Sequence, residues 1–162
     1  MPMNTFDFVN PTRIIFGKGQ IAKLAQYVPK GKKVLITYGG GSIKKNGVYD
    51  QVMKALEGYE VREFSGIQAN PDYDTLMQAV AIVKEMGADN TFLLSVGGGS
   101  VADGTKFIAC AAYYTHSECP YEICETNAKY VEKAVPMAVV LTLPAVCLPF
   151  LPLFVDRFWD ER

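Results

Sequence analysis

The sequence predicts a doubly wound α/β domain built on a mostly parallel sheet. Short apolar runs rich in β-branched residues alternate with amphipathic segments whose apolar residues have helical spacing, in the order β-α-β-α-β-α-β-α-β. The connections between these segments are short. The chain has 162 residues, of which 49% are hydrophobic and 20% are charged, which is enough for one domain with a sizeable core.

Five apolar runs are predicted strands and four amphipathic segments are predicted helices. The strands are residues 12–17, 32–38, 59–65, 90–96 and 137–143. The helices are residues 19–28, a segment that ends near 56, residues 70–86 with Asn70-Pro71 as the start, and residues 100–114. The side chains predicted to face the sheet are Ile21, Leu24, Ala25 and Val28; Val48, Val52, Ala55 and Leu56; Leu76, Val80 and Val83; and Val101, Ile108 and Ala112.

The composition argues against several classes of function. The net charge is −1 at pH 7, so no global field would recruit nucleic acid or a membrane surface. The N-terminal stretch MPMNTFDFVN has no basic region followed by an apolar one, so no secretory leader is predicted. We therefore expect a cytoplasmic protein whose four cysteines are reduced thiols.

One cysteine-rich segment could suggest a metal site. His116, Cys119 and Cys124 form an H-x2-C-x4-C cluster. Zinc sites usually have tighter cysteine pairs and a fourth ligand at a matching spacing. The spacing therefore favours a loop with incidental thiols.

A long apolar run could suggest a membrane span. Residues 137–155 are about long enough to cross a bilayer. Prolines at 144, 149 and 152 would break a lone spanning helix in its second half. We interpret the run as a buried strand, 137–143, followed by an apolar tail, and we expect no membrane association.

Two GGGS runs carry the main functional signal. They are Gly39, Gly40, Gly41 and Ser42 in the first run, and Gly97, Gly98, Gly99 and Ser100 in the second. Each run follows a predicted buried strand and precedes a predicted helix, which is where open α/β sheets bind ligands. Glycines there allow close backbone approach to a phosphate, and a serine hydroxyl could cap the helix or bond a phosphate oxygen.

The glycines alone do not decide between a ligand site and a tight turn. Neither run matches G-x-G-x-x-G or the P-loop pattern, but two equivalent runs in one sheet favour a shared ligand over two unrelated turns. Lys44 and Lys45 could neutralise an additional phosphate or belong to a solvated face. Asp103 could bind a ribose or substrate hydroxyl, or it could only stabilise the helix through a favourable interaction with the helix dipole.

Five segments, in register over about residues 8–145, carry a family resemblance: NPTRIIFGKGQIAKL, VLITYGGGSIKKNGVYDQV, ANPDYDTLM, SVGGGSVADGTKFIA and PMAVVLTLPA. They resemble the N-terminal domain of iron-containing (group III) alcohol dehydrogenases, and within it the butanol dehydrogenases and NADPH-dependent aldehyde reductases. The resemblance implies a Rossmann-like, NAD(P)-binding domain over residues 1–145. In the family, a helical C-terminal domain supplies the metal.

The resemblance also implies roles for the glycine runs. Gly97, Gly98, Gly99 and Ser100 would cradle the pyrophosphate, with Asp103 near the nicotinamide. The first run would lie by the adenosine ribose, and Thr142 would line the adenine side. Family members that prefer NAD often carry an acidic residue in the first loop. Its absence here, with lysines following, implies that NADP(H) is preferred over NAD(H).

The sequence departs from the family pattern after Ala145. Residues 146–162 read VCLPFLPLFVDRFWDER, an apolar tail in place of the family's Thr-Gly-Ser-Glu type segment. The helical domain, with the Asp and three His that hold iron or zinc, is not matched. His116 is the one histidine of the chain, so we expect neither metal to bind and assign no catalytic residue. A shifted reading frame or truncated gene is a hypothesis for this change.

Two functions stay open at this point. The first is a truncated alcohol dehydrogenase domain that binds NADP(H), from a family that transfers hydride between NAD(P)H and an aldehyde or primary alcohol, with little turnover expected. The second is a non-catalytic nucleotide-binding or self-assembling module whose apolar tail drives formation of a homo-oligomer. The wider superfamily, which includes glycerol dehydrogenases and dehydroquinate synthase, is disfavoured by the continuous match at YGGGSIKKNG.

Overall fold

The computed structural model describes residues 12–143, whose centre is a four-stranded parallel sheet. The strands are β1 (Lys33–Thr37), β2 (Val61–Phe64), β3 (Thr91–Gly97) and β4 (Met137–Leu141). They lie side by side in the order β2-β1-β3-β4, and every neighbouring pair is parallel. The predicted doubly wound α/β architecture is therefore confirmed, with four strands in the described part of the chain.

Helices cover both faces of the sheet. The α-helices are α1 (Ser42–Lys45), α2 (Val48–Ala55), α3 (Tyr73–Met86), α4 (Gly99–Ala111) and α5 (Glu122–Glu125), and two 3-10 helices span Gln20–Gln26 and Ala88–Asn90. Side chains of the first 3-10 helix, α1 and α2 pack with Ile36 and Leu94 on one face. Side chains of α3, α4 and α5 pack with Leu35 and Leu93 on the other. The strands in the middle thus have apolar side chains buried on both faces, as the continuous apolar runs predicted.

Most of the predicted inward-facing side chains are buried. Val52, Leu56, Leu76, Val80, Val83, Val101, Ile108 and Ala112 belong to the buried core, as do Leu24 and Val28. The helix predicted over 70–86 begins later than expected, because Asn70 has a left-handed φ of 55°. Its N-cap is instead Asp72, whose carboxylate accepts a hydrogen bond from Thr75 N at 3.1 Å.

The N-terminal elements differ most from the prediction. Residues 12–17 are not a strand: they pair with no strand of the described sheet, and Ile14 and Phe16 are 62% and 96% exposed. An apolar run becomes a strand only if a sheet edge receives it, and here it lies outside the four-stranded sheet. The helix predicted over 19–28 is the 3-10 helix Gln20–Gln26, and Ala25, predicted to face inward, is exposed.

The last strand is less buried than predicted. Met137–Leu141 is a half-buried strand at one end of the described sheet order, and Val139 is 41% exposed. The predicted boundary at residue 145 and the apolar tail 146–162 lie outside the described residues. Across residues 12–143, no helix has both the length and the apolar character that a membrane crossing requires.

Candidate functional site

The two glycine runs meet at the point where the chain changes direction across the sheet. The connection after β1 passes through α1 and α2 to β2 on one side, and the connection after β3 passes through α4 and α5 to β4 on the other. These two connections lie on opposite faces. A crevice outside the carboxyl ends of β1 and β3 is where open α/β sheets bind ligands. The topology therefore brings together the runs that the sequence singled out.

The second run is a tight passage from strand to helix. Gly97 is the buried last residue of β3, Gly98 is the N-cap, and α4 already begins at Gly99. A Cβ on Gly97 would lie 2.7 Å from Val101 Cγ2, so packing within the turn requires glycine there. A Cβ on Gly98 would meet nothing closer than Leu143 Cβ at 4.0 Å. Gly98 is thus the glycine of this run whose missing side chain leaves space outside the backbone.

The start of α4 presents unused hydrogen-bond donors. The first helical bond runs from Ala102 N to Gly98 O at 3.2 Å, so the N–H groups of Gly99, Ser100 and Val101 have no carbonyl acceptor among the described residues. No side chain caps this helix end, and its first turn carries no acidic residue. Free N–H groups and the positive end of the helix dipole favour an anion at this position.

The first run has a different backbone conformation. Gly41 is the N-cap of α1 with φ of 91°, a left-handed conformation that strongly favours glycine. A Cβ on Gly39 would lie 3.0 Å from the Ile67 carbonyl oxygen, because the chain after β2 closes against this turn. Gly40 is exposed, and a Cβ there would meet nothing within 4 Å.

Neither serine of the two glycine runs caps the helix that follows it. Ser42 is the first residue of α1 and Ser100 the second of α4, and neither side chain makes a capping hydrogen bond. The N-cap positions are taken by Gly41 and Gly98, so of the two roles left open for these hydroxyls the cap is wrong, and a bond to a phosphate oxygen stays a prediction. The hydroxyl of Ser42 is on an exposed residue and that of Ser100 on a half-buried one.

Asp103 and Thr142 both lie near the second run. Asp103 is an exposed residue in the second turn of α4, and its carboxylate forms an ion pair of 3.3 Å with the largely buried Lys106. The Thr142 N–H donates to Gly97 O at 2.9 Å, which fixes the chain after β4 beside the second run. Thr142 is separated from the first run by β3.

Lys44 is part of a polar cluster that sequence reasoning missed. Its ammonium lies 3.4 Å from the Glu63 carboxylate, and it also lies over the rings of Tyr38 and Tyr49, at 5.1 and 4.6 Å from their centroids. Tyr38 and Tyr49 each donate a hydroxyl hydrogen bond to Glu63, at 2.8 and 2.5 Å. The sequence signal that could have found Glu63 is its position at the end of the second strand, about 20 residues after a glycine run, where dinucleotide-binding folds place a ribose-binding acid.

A pair of threonines connects the two halves of the site. Thr105 donates its hydroxyl hydrogen bond to Val101 O within α4, and Thr37, at the end of β1, bonds to the Thr105 hydroxyl, both at 2.6 Å. Both threonines are fully buried. This contact fixes the first turns of α4 over the carboxyl end of β1, and so sets the distance between the two glycine runs.

The cysteine-rich segment contains no metal centre. Within residues 12–143, no group of three or more His, Cys, Asp or Glu side chains could hold a metal ion. His116 instead stacks on Tyr130, with ring centroids 4.0 Å apart. These two rings line a cleft of about 710 Å³ formed by the segments that follow α4 and precede β4.

A parallel sheet with glycine turns at its switch point defines the nucleotide-binding class of α/β domains. Comparisons with known proteins identify the family within that class. Residues 11–156 match the family model described as iron-containing alcohol dehydrogenase. The chain belongs to the iron-containing alcohol dehydrogenase family.

The similar proteins are reductases and dehydrogenases. The chain is 57% identical over 143 residues to the NADPH-dependent aldehyde reductase YqhD of Escherichia coli, which covers 88% of this chain and 36% of YqhD. A crystal structure of E. coli YqhD superposes with a TM-score of 0.84 over the same shares. NADP-dependent alcohol dehydrogenase 3 of Entamoeba histolytica is 43% identical, covering 90% of this chain and 38% of that protein. The crystal structure of NADH-dependent butanol dehydrogenase A from Thermotoga maritima has 42% identity and a TM-score of 0.77, covering 87% and 35% of the two chains.

These matches define how much of the family is present. The chain spans little more than a third of the length of these relatives, and the matched part is their N-terminal domain. The resemblance to an N-terminal Rossmann-like domain of this family, with butanol dehydrogenases and aldehyde reductases as relatives, is therefore confirmed. The relatives include both NADPH- and NADH-dependent enzymes.

Proposed function

We propose that this chain is the NADP(H)-binding domain of an alcohol dehydrogenase or aldehyde reductase. The observation that carries the proposal is the uncapped N-terminus of α4, whose free N–H groups lie beside Gly98 at the switch point of the sheet. A pyrophosphate is an anion of the right shape for such a turn, and an open glycine lets it approach the backbone.

The remaining site residues follow from this placement. Gly97, Gly98, Gly99 and Ser100 would cradle the pyrophosphate, and Asp103, exposed one turn further along α4, would lie towards the nicotinamide. Gly39, Gly40, Gly41 and Ser42 would lie by the adenosine ribose at the neighbouring strand β1. The family resemblance would put Thr142, next to Gly97, on the adenine side, so the adenine would extend from the ribose at β1 across the end of β3. Gly97 and Gly41 shape the turns, whereas Gly98 and Gly40 keep open the space that a ligand would enter.

The preference for NADP(H) over NAD(H) rests on charge. The first run has no acidic residue and is followed by Lys44 and Lys45, whose ammonium groups would attract a 2′-phosphate. NADPH-dependent YqhD and NADP-dependent alcohol dehydrogenase 3 are among the similar proteins. NADH-dependent butanol dehydrogenases are also among the similar proteins, so the preference of this chain is proposed from its own charges and not from its relatives.

The family reaction would be a hydride transfer between NAD(P)H and an aldehyde or primary alcohol. Among residues 12–143, no group of three or more His, Cys, Asp or Glu side chains is placed to hold the family's iron or zinc. We infer that the domain binds its cofactor with little turnover of its own.

Calorimetric titration of the full chain with NADPH and NADH tests the proposal. We expect saturable binding of at least one cofactor. Gly98→Val should weaken the affinity for NADPH and for NADH by about tenfold or more, because the valine side chain would occupy the pyrophosphate position. Glu132→Gln is the matched control, since Glu132 is an exposed side chain outside the glycine runs. Absence of binding in the wild type, or undiminished binding in Gly98→Val, would contradict the proposed site.

Self-association is a second candidate function. Ile14, Phe16 and Leu143 are large apolar side chains that are more than half exposed in the described part of the chain. Such side chains favour contact with another surface, and we infer a homo-oligomer. Light scattering on the wild type and on Phe16→Ser should show a larger particle for the wild type; equal monomeric masses would argue against this function.

A further inference from the structure

We propose that Glu63 is a specificity-determining residue of the ribose end of the site: it offsets the charge of Lys44 and so limits the preference for a 2′-phosphate. This inference rests on the proposed function, because it requires the adenosine ribose to lie beside the first glycine run. It concerns residues that the resemblance to the family did not single out.

The Glu63 carboxylate is held by three donors from three different segments: the end of β1, α1 and α2. Its Oε2 atom accepts from Tyr38 OH at 2.8 Å and lies 3.4 Å from Lys44 Nζ, and its Oε1 atom accepts from Tyr49 OH at 2.5 Å. Tyr38 and Tyr49 also contact each other edge to face, with ring centroids 6.4 Å apart. Both carboxylate oxygens therefore have a donor, which fixes the orientation of the group, while Oε1 keeps a lone pair for a further donor.

The backbone fixes this cluster beside the first glycine run. Tyr38 directly precedes Gly39, and its carbonyl oxygen accepts from Ile67 N at 3.2 Å. Gly66 N donates to Gly39 O at 3.1 Å, so the segment after β2 is bonded to the turn itself. Glu63 precedes that segment by a few residues on β2. The carboxylate thus lies at the carboxyl end of the strand next to β1.

The charge state of the cluster follows from these contacts. Burial alone would raise the pKa of Glu63, but the hydrogen bonds from Tyr49 and Tyr38 and the charge of Lys44 lower it below its ordinary value. The Tyr38 hydroxyl raises the pKa of Lys44, with the Glu63 charge acting in the same direction and desolvation opposing it. At neutral pH the cluster therefore consists of an anion and a cation with no net charge.

The two cofactors would meet this neutral pair differently. A 2′-phosphate carries charge of the same sign as Glu63 and competes with it for Lys44. A free 2′-hydroxyl can instead donate a hydrogen bond to a carboxylate at this strand end, the arrangement that NAD-binding folds use. Glu63 therefore penalises NADPH relative to NADH, although Lys44 and Lys45 of α1 favour NADPH.

Removing the charge of Glu63 tests this inference. Glu63→Gln keeps the size of the side chain and one acceptor oxygen but frees the charge of Lys44. We expect NADPH affinity to increase by about two- to fivefold while NADH affinity stays level or falls, as for a partly exposed charge contact. Binding is measured by calorimetry on the full chain with NADPH, NADH and, as a cofactor fragment, adenosine 2′,5′-bisphosphate.

Two lysine variants separate the cluster from general electrostatics. Lys44→Met should weaken the affinity for NADPH. In that background, Glu63→Gln should increase the NADPH affinity less than it does in the wild type. Lys45→Met removes the same charge from the neighbouring position of α1, and the gain from Glu63→Gln should persist in full there. An equal gain in both lysine backgrounds would overturn the role of Lys44.

A readout without cofactor checks the cluster itself. The hydrogen bond to Glu63, with burial and the carboxylate charge acting in the same direction, raises the pKa of Tyr49. Ultraviolet titration should show this phenol ionising at lower pH in Glu63→Gln, with Tyr49→Phe identifying its contribution. If Tyr49 ionises at the same pH in Glu63→Gln as in the wild type, the hydrogen bond between Tyr49 and Glu63 is refuted and the inference fails.

The outcomes distinguish the two proposals. If no variant binds either cofactor, the proposed function fails and this inference fails with it. If the wild type binds but the ratio of NADH to NADPH dissociation constants is the same in Glu63→Gln, only the role of Glu63 fails. An equal loss of both affinities together with lower stability would mark Glu63 as a structural residue and would also overturn the inference.

Discussion

Gly97→Ala is the substitution for which the structure predicts a loss of stability most directly. The added methyl carbon would lie 2.7 Å from Cγ2 and 3.0 Å from Cβ of Val101. Val101 is β-branched and lies in the first turn of α4, where one χ1 rotamer is strongly preferred, so its side chain cannot easily rotate away. Either α4 must move away from β3 or the turn must distort.

The size of the effect can be bounded from this contact. Extra atoms forced into a packed site typically cost about 1–3 kcal/mol. Gly97 itself is buried at the end of β3, and its carbonyl oxygen accepts from Thr142 N, so a shift of the turn would also disturb β4. For a chain of this size, each kcal/mol corresponds to about 2–4 °C in melting temperature. We therefore expect the melting temperature to fall by about 2–12 °C.

The assays are thermal unfolding, which gives the melting temperature, and chemical denaturation, which gives the free energy, both followed by circular dichroism with Gly98→Ala as the matched control. Gly98 has an extended backbone, with φ of −86° and ψ of −169°, and an added Cβ has an ordinary contact of 4.0 Å to Leu143. Gly98→Ala should keep nearly the stability of the wild type. If Gly97→Ala is equally stable, or if both variants lose the same free energy, the packing argument for this turn is refuted.

Three further predictions concern the interior. Ser95→Ala should raise the free energy of unfolding by about 1 kcal/mol in urea denaturation, because the buried Ser95 hydroxyl has no partner among the described residues; a loss would contradict this. Gly104→Ala should destabilise despite the helix propensity of alanine, since its Cβ would lie 2.9 Å from Leu76 Cδ2; a higher melting temperature would refute the clash. Burial raises the pKa of Cys110 from 9.0 to about 12, so its contribution to stability is complete below pH 9 and is lost as pH rises towards 12. Between pH 8 and pH 10 the wild type should lose about 1.4 kcal/mol more than Cys110→Ala in guanidinium denaturation, and equal losses would contradict the shift.

The sequence predicted the central sheet well because burial and periodicity agree there. Residues 32–38 and 90–96 are almost continuously apolar, and they form β1 and β3, which lie in the middle of the sheet. Their side chains have apolar neighbours on both faces, so no other arrangement would bury them as fully. The same agreement places Leu76, Val80 and Val83 on the buried face of α3.

The N-terminal segment could not be predicted in the same way. Residues 12–17 contain a short apolar, β-branched run of the kind that predicts a strand, but a strand also requires a partner edge, which is a property of the assembled fold. In the described part of the chain that partner is missing, and Phe16 is almost fully exposed. A pattern confined to six residues carries no information about which edge will receive it.

The two glycine runs have the same sequence but different backbone conformations, which the sequence could not predict. The sequence correctly placed both runs between a strand and a helix, but it treated them as equivalent. In the first run the helix begins at Ser42 after a left-handed Gly41, whereas in the second it begins at Gly99, and no glycine of that run has a positive φ. The difference arises from the residues that pack against each run. The first run packs against Ile67, which is distant in sequence, and the second packs against Val101, whose position depends on the direction of α4.

Lys44 shows why a positive charge that follows a glycine run is a weak predictor of phosphate binding. From the sequence, two lysines after a glycine run suggest free positive charge for an additional phosphate. In the structure the ammonium of one of them is paired with Glu63, which comes from a different strand. A phosphate that binds Lys44 must displace or tolerate that carboxylate, so the gain is the difference between two ion pairs rather than one full contact. The proposed cofactor preference would therefore depend on the end of β2 as much as on the glycine run.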